Sequence, residues 1–323
     1  MGSNYRGKAS YSRLRFIDLF CGIGGFRLAA DSFGMECVFS SDIDPHCQDA
    51  YQANFGERPA GDITKIDPRS VPDHDVLLGG FPCQPFSIIG ERRGFRDARG
   101  TLFFNVAAII KEKRPRAFVL ENVKQLAGHD RGRTIKRIVR ELEALGYRTE
   151  WRILNALNFG LPQKRERVLI VGLRDAVRPM NWTFPPVAMQ SLADILETRV
   201  PRKYFASDAI VAKRRAAHRA SCRPAIWHEN KAGNISSYPY SCALRAGASY
   251  NYLLVDGKRR LTPREMLRLQ GFPDSFTIVN ETQTRKQAGN AVPVPIVRAV
   301  LGRVLDSLAA PEMPIEVPQL LAA

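Results

Sequence analysis

Short apolar runs alternate with helix-like stretches through the first half of this chain, and few folds accommodate that alternation. The run Phe16-Ile17-Asp18-Leu19-Phe20 ends in Gly22-Ile23-Gly24-Gly25, and residues 26–33 then carry helical spacing that stops at Gly34. Residues 37–40 read as a second strand, and Pro45 opens a helix as a first-turn proline. Residues 76–78, 117–120 and 167–171 read as further buried strands. Helices over 101–113 and 134–145 lie between them, the latter ended by Gly146. Strand and helix in turn predict an α/β fold with a doubly wound, mostly parallel sheet, Rossmann-like in outline. The pattern fails near Pro185 and Pro186. From there to about Tyr252 the chain is rich in Arg, Ser, Tyr and Ala, and carries Lys213, Arg214, Arg215 and Arg219. That stretch predicts a second, smaller and irregular domain. Helical spacing returns over 264–270 and 294–308, and a loosely ordered tail is expected after Ala310.

The 323 residues suffice for a large domain and a small one. Lys plus Arg is 48 against 32 for Asp plus Glu, a net charge of +16. Such an excess favours polyanions, though some basic proteins are merely basic. The six cysteines form no CxxC pair and no zinc-like spacing with histidine, so reduced thiols and no metal are expected. No apolar run reaches the roughly 18–20 residues that span a bilayer. The N-terminus lacks the apolar core of a secretion signal, and Arg6 stands where a myristoylation motif wants Ser or Thr. A cytoplasmic protein with no membrane partner is expected.

Four places carry residue types that do chemistry. Gly22, Gly24 and Gly25 follow a strand, where bare backbone can approach a ligand or simply turn. Their spacing is not GxGxxG, which disfavours a dinucleotide. Asp42, at the second strand's end, suits ribose hydroxyls, and Asp62, expected at the third strand's end, suits an adenine amino group. Either alone is more often a helix cap or a solvated carboxylate. Together they suggest a nucleoside ligand without pyrophosphate. Cys83, between Pro82 and Pro85, sits on a stiff loop as a nucleophile or as a small core residue. Glu121 ends the strand over 117–120, where a buried carboxyl can protonate a ring nitrogen and an exposed one does nothing special. Gln163-Lys164-Arg165-Glu166-Arg167 either orients a carboxylate or base, or is a solvated charge run.

Residues 18–26, 79–87, 121–123, 163–167 and 287–290 stand in the order typical of the C5-cytosine DNA methyltransferases. Residues 260–265 and 268–274 resemble that family's late block. The match covers roughly residues 14–180 and 258–305, and the first half looks especially close to bacterial enzymes that methylate GCGC. The resemblance implies that Cys83 is the nucleophile and Glu121 the contact to cytosine N3. It makes Arg165 and Arg167 the arginines that hold the base and order the active-site loop. It places S-adenosyl-L-methionine, leaving as S-adenosyl-L-homocysteine, against Phe20, Gly22, Ile23, Gly24, Asp42, Ile43, Asp62, Ile63, Pro82, Leu102 and Asn290. Residues 87–100, with Ser87, Arg92, Arg93 and Arg96, resemble the mobile loop that closes over DNA. The implied division is a catalytic domain over 1–187 plus 288–323, a target-recognition domain over 188–262 and a hinge over 263–287. Arg223, Lys231, Asn234 and Arg245 are candidates for phosphate and base-edge contacts, although for any one of them a solvated surface position is the commoner case.

Two positions depart from the family. The ribose-binding residue, usually Glu, is Asp42, one methylene shorter, and Ile43 replaces a frequent Trp that stacks on adenine. The implied enzyme is a DNA (cytosine-5-)-methyltransferase acting on a flipped cytosine in a specific double-stranded DNA site. It is expected to be a monomer in a bacterial cytoplasm, associated with the nucleoid and paired with a restriction endonuclease. The rivals are an RNA cytosine-5 methyltransferase and a catalytically inactive DNA-binding paralogue. The long recognition segment and Pro85 after Cys83-Gln84 favour DNA, and the joint presence of Cys83 and Glu121 disfavours an inactive paralogue. A zinc deaminase would need a second Cys three residues after Cys83, which is absent.

Overall fold

The computed structural model describes residues 14–82, 102–175 and 179–309. The chain winds through β1 (Arg15–Leu19), α1 (Gly25–Asp31), β2 (Glu36–Ser41), α2 (Pro45–Phe55) and β3 (Val76–Gly79). It continues through α3 (Leu102–Lys113), β4 (Ala117–Val123), the short α4 (Gln125–Gly128), α5 (Arg133–Glu143), β5 (Tyr147–Asn155), β6 (Gln163–Lys164) and β7 (Glu166–Arg174). The main sheet has the order β2-β1-β3-β4-β7-β5; β1 to β4 are parallel, and β7 runs against both its neighbours. The sheet is thus α/β and mostly parallel, as the alternation predicts. β5 is the strand that periodicity does not announce. It lies at the sheet edge, half exposed, so its residues alternate Arg and Glu with apolar groups. The short connection over 156–165 returns to β7, and only an antiparallel neighbour can be reached that way.

Side chains on the strands alternate between two packed faces. Phe16, Val76, Leu78, Val119, Leu169 and Val171 share one apolar cluster with Phe26, Ala29 and Ala30 of α1. Ile17, Leu19, Leu77, Phe118, Leu120 and Ile170 share the other with α3 and α5. Truncating one such Ile or Leu to Ala costs about 2–5 kcal/mol. The alternation has a consequence at the strand ends: Asp18 and Glu121 fall on the α1 face.

The second half comprises α6 (Leu192–Ile195), α7 (Asp208–Ala217), β8 (Ile226–Glu229), β9 (Ile235–Tyr238), β10 (Ser241–Cys242), β11 (Leu253–Val255), α8 (Pro263–Leu269), α9 (Glu281–Asn290) and α10 (Val294–Ala309). Where periodicity gave only an irregular segment, β11, β8 and β9 form a small antiparallel sheet. β10 pairs in parallel with β6, stitching this segment to the first half. Ile226, Leu244, Leu253 and Leu261 join the same apolar cluster as α1 and α10. Residues 263–287 contain α8 and most of α9. α8 is fixed by a capping box between Thr262 and Glu265. The fully buried Glu265 carboxylate also takes a two-pronged bond from Arg259, 2.8 Å at each oxygen, and one from the Glu197 amide. A satisfied buried network of this kind specifies one arrangement of its parts. Among the described residues no helix is long and apolar enough to cross a membrane.

Candidate active site

The carboxyl ends of β1, β2, β3 and β4 open on one edge of the sheet, where open α/β sheets bind ligands. After β1 the chain turns through Phe20, Gly22 and Gly24, all with positive φ (53°, 54° and 85°). A Cβ on Gly22 would meet nothing within 4 Å, so its backbone borders open space. A Cβ on Gly24 would collide with the Phe55 ring, which explains that glycine by packing. Ile23 is buried behind the turn.

Asp42 joins this turn to the end of β2. Its Oδ2 accepts from the Gly22 amide at 2.8 Å and its Oδ1 from the Asp44 amide at 2.9 Å. Burial pushes its carboxyl pKa up, and the two amide bonds hold it down. Each oxygen keeps a further lone pair for a ligand hydroxyl. Ile43 beside it is 69% exposed, a large apolar side chain left at the rim.

Asp62 is not at the third strand's end. Ala60 pairs with Ser41 beyond β2, and this brings the loop alongside Asp42 well before β3 begins. There Asp62 accepts from the Thr64 amide and hydroxyl at 2.9 and 2.8 Å, and these bonds hold its carboxyl below the usual range. Ile63 is buried, Pro82 is exposed, Leu102 opens α3 half-buried and Asn290 ends α9 exposed.

Beyond β3 and β4 lie the groups suited to chemistry. Glu121 is 8% exposed, and its Oε1 sits 2.7 Å from Arg167 Nε. Burial raises its pKa, with the charges of Arg167 and Arg165 opposing. A Cβ on Gly80 would stand 3.4 Å from Glu121 Oε2, so the glycine leaves that oxygen room. Asn122 donates to the Phe81 carbonyl at 2.8 Å and accepts from the Val123 amide at 2.8 Å. It thereby ties the chain just before Cys83 to the strand that carries Glu121.

Arg165 is fully buried, unlike a solvated charge run. It donates to the carbonyls of Leu244 (2.9 Å), Gly289 (3.0 Å) and Ala291 (2.8 Å). Burial brings its pKa down to about 9, with Arg167 adding to the effect. Gln163, also buried, donates to the Leu269 carbonyl and accepts from the Leu244 amide. The two residues knot β6, the segment after β10 and the end of α9. A Cβ on Gly289 would overlap the backbone of Arg245 and Ala246, so only glycine lets those segments approach. The roles of Asn122 and Gln163 were not legible in the sequence; their place inside the two motifs was the one signal present.

Of the candidates for DNA contact, Arg223 precedes β8, exposed. Lys231 and Asn234 are exposed in the turn between β8 and β9. Arg245 is exposed and lies 4.9 Å over the Tyr252 ring. Cys83, Ser87, Arg92, Arg93 and Arg96 lie outside the described residues.

This mostly parallel sheet, with a glycine turn bordering open space and Asp42 at its carboxyl edge, places the protein in the Rossmann-like class of α/β folds. The family model for C-5 cytosine-specific DNA methylase matches residues 14–306. Type II methyltransferase M.NgoBI of Neisseria gonorrhoeae is 55% identical over 299 residues, covering 91% of this chain and 93% of that one. Type II methyltransferase M.HaeII of Haemophilus aegyptius is 54% identical over 298 residues, covering 90% and 93%. Among solved structures, the S. pombe Dnmt2 methyltransferase superposes with a TM-score of 0.71 at 22% identity, over 92% of this chain and all (100%) of that one, a likeness of fold. The chain belongs to the C-5 cytosine-specific DNA methylases and is a DNA cytosine-5 methyltransferase.

Proposed function

We propose that this enzyme takes a methyl group from S-adenosyl-L-methionine and places it on C5 of a cytosine flipped out of a specific duplex site, using Cys83 and Glu121. The Glu121–Arg167 pair beside Gly80 is the observation that carries this reading. The donor fits the edge described above: open backbone at Gly22, spare lone pairs on Asp42 and an uncovered Ile43. Phe20, Ile23, Gly24, Asp62, Ile63, Pro82, Leu102 and Asn290 would complete its pocket. When bound, it supplies an electrophilic methyl group on sulfur.

The protein's own residues do the rest. The Cys83 thiolate bonds to C6 of the extruded base, an extrusion that costs a few kcal/mol. The ring electrons pass to N3, which takes the proton that buried Glu121 holds. Arg167, 2.7 Å from Glu121, keeps that carboxyl oriented and partly offsets its loss of hydration. C5 then carries the electron pair that bonds the methyl carbon, while the methyl–sulfur bond breaks and its electron pair stays on the departing sulfur. Transfer of the C5 proton to a base, water or hydroxide at the site, expels Cys83 as its thiolate, and N3 returns its proton to Glu121. Arg165 fixes the backbone around this centre.

Residues 188–262 serve as the target-recognition domain, with Arg223, Lys231, Asn234 and Arg245 offered to DNA. Residues 1–187 plus 288–323 form the catalytic domain, and 263–287 the hinge between them. The enzyme works as a monomer in a bacterial cytoplasm, on nucleoid DNA, and shields its sites from a paired restriction endonuclease. The names of the Type II relatives support that pairing. Bisulfite sequencing of a plasmid carrying this gene tests the reading. Protected cytosines at one recurrent sequence are expected; uniform conversion would overturn it. Tritium transfer to duplex DNA and to tRNA in parallel separates the RNA rival.

A further inference from the structure

Between the recognition segment and α9 lies a pocket of about 260 Å³ that the chemistry above leaves unused. Its charged and aromatic lining is Lys203, Tyr204, Tyr250, Arg260, Glu281 and Arg285. The Arg285 guanidinium stands 4.3 Å from the Tyr250 ring centre, and that of Arg260 stands 5.6 Å from the same ring. Each arginine also bonds a backbone carbonyl, Arg285 that of Ala248 and Arg260 those of Lys203 and Tyr204. Ring and carbonyl hold the two forks in place and leave N–H groups over for a ligand. Glu281 is the one carboxylate in the lining, and it is already engaged by Lys203 Nζ at 2.5 Å and the Tyr204 hydroxyl at 2.9 Å. Three cations against one carboxylate leave the pocket two charges positive. Tyr250 is 55% exposed.

The pocket bears on the loop over residues 245–250. Arg285 holds that loop at Ala248, Gly289 touches it at Ala246, and Arg165 holds the Leu244 carbonyl just before it. Two residues beyond Arg165 stands Arg167, the partner of Glu121. We propose that this pocket binds a phosphate of the DNA backbone, seating one phosphodiester on Arg260 and Arg285 beside the recognition loop. Guanidinium forks match phosphate oxygens in pairs. A phosphate contact carries no sequence information; it fixes the register in which the loop meets the duplex. The inference rests on DNA as the substrate.

The test is arginine footprinting with phenylglyoxal on the full chain, with adducts mapped by peptide mass spectrometry. Arg260 and Arg285 are expected to be protected by a short duplex of arbitrary sequence. Protection by inorganic phosphate but not by the duplex assigns the pocket to a small phosphorylated ligand and overturns the DNA assignment. Protection by neither overturns a phosphate site altogether. In a second arm, duplex affinity is measured against salt for a Gln variant, Arg260→Gln with Arg285→Gln, and a Lys variant, Arg260→Lys with Arg285→Lys. The slope of log affinity against log salt should become shallower by about one in the Gln variant, since each lost phosphate contact removes ~0.9, and should be kept in the Lys variant. An unchanged slope in a folded Gln variant contradicts the proposal. Plasmid methylation by the wild type, run in parallel, reports on the parent reading: unprotected arginines with methylation intact sink the pocket alone.

Discussion

Arg167 Nε lies 2.7 Å from Glu121 Oε1 across the β4–β7 pair, with both side chains nearly sealed from water. A carboxyl in that setting is easier to protonate than one in water, because burial disfavours its charge more than the arginine favours it. Glu121→Gln keeps the shape and removes the transferable proton. It should lower single-turnover methyl transfer by about 10²–10⁴-fold, the usual share of general acid–base catalysis, with duplex affinity nearly unchanged. Unchanged turnover would remove Glu121 from the chemistry.

Asp42 is predicted to carry donor affinity. Asp42→Ala should weaken binding of S-adenosyl-L-homocysteine, read by calorimetry, by about ten- to a hundred-fold, as expected for one or two lost charged hydrogen bonds. Duplex binding without cofactor should hold. Equal cofactor affinity in the variant would place the ribose elsewhere.

Arg165 is predicted to matter first for stability. Arg165→Met leaves the carbonyls of Leu244, Gly289 and Ala291 buried without their donor. Each orphaned carbonyl costs about 1–3 kcal/mol, so urea denaturation should show a loss of several kcal/mol. A loss below about 1 kcal/mol would mean that the knot is replaceable by water.

Asp18 makes a pH prediction. It is fully buried in β1, and that burial raises its pKa well above the usual carboxylate value, with Arg27 only partly offsetting. A folded pKa above the unfolded one means stability that is whole below about pH 4 and lost as pH rises past it. Asp18→Asn should therefore match the wild type in melting temperature near pH 4 and exceed it increasingly toward neutrality. A variant less stable at neutral pH would show that the charged form is the one the fold needs.

Much of this was legible in the sequence, and the exceptions have physical causes. β1, β3 and β4 are buried on both faces, so their apolar runs stand out, and the turn after β1 is marked by its glycines. β5 was hidden because an edge strand keeps charged residues on its open side. Arg165 looks like surface charge because sequence shows a guanidinium but not the three carbonyls that meet it. Asp62 lies beside the end of β2 rather than β3 because of the Ser41–Ala60 pairing, a single bridge in a loop that leaves no periodic signal. The small sheet of β8, β9 and β11 is not legible because its strands are three or four residues long, too short for a period to show.

Covalent capture puts the central claim to its most direct test. A duplex with 5-fluorocytosine at a cytosine that bisulfite sequencing marks as methylated is incubated with enzyme and S-adenosyl-L-methionine. Fluorine at C5 cannot leave as a proton does, so the account predicts a complex that survives denaturing electrophoresis, with the adduct mapping to Cys83. Cys83→Ser should bind the duplex and form no adduct. Absence of adduct from active wild type, or an adduct that persists in Cys83→Ser, would contradict it.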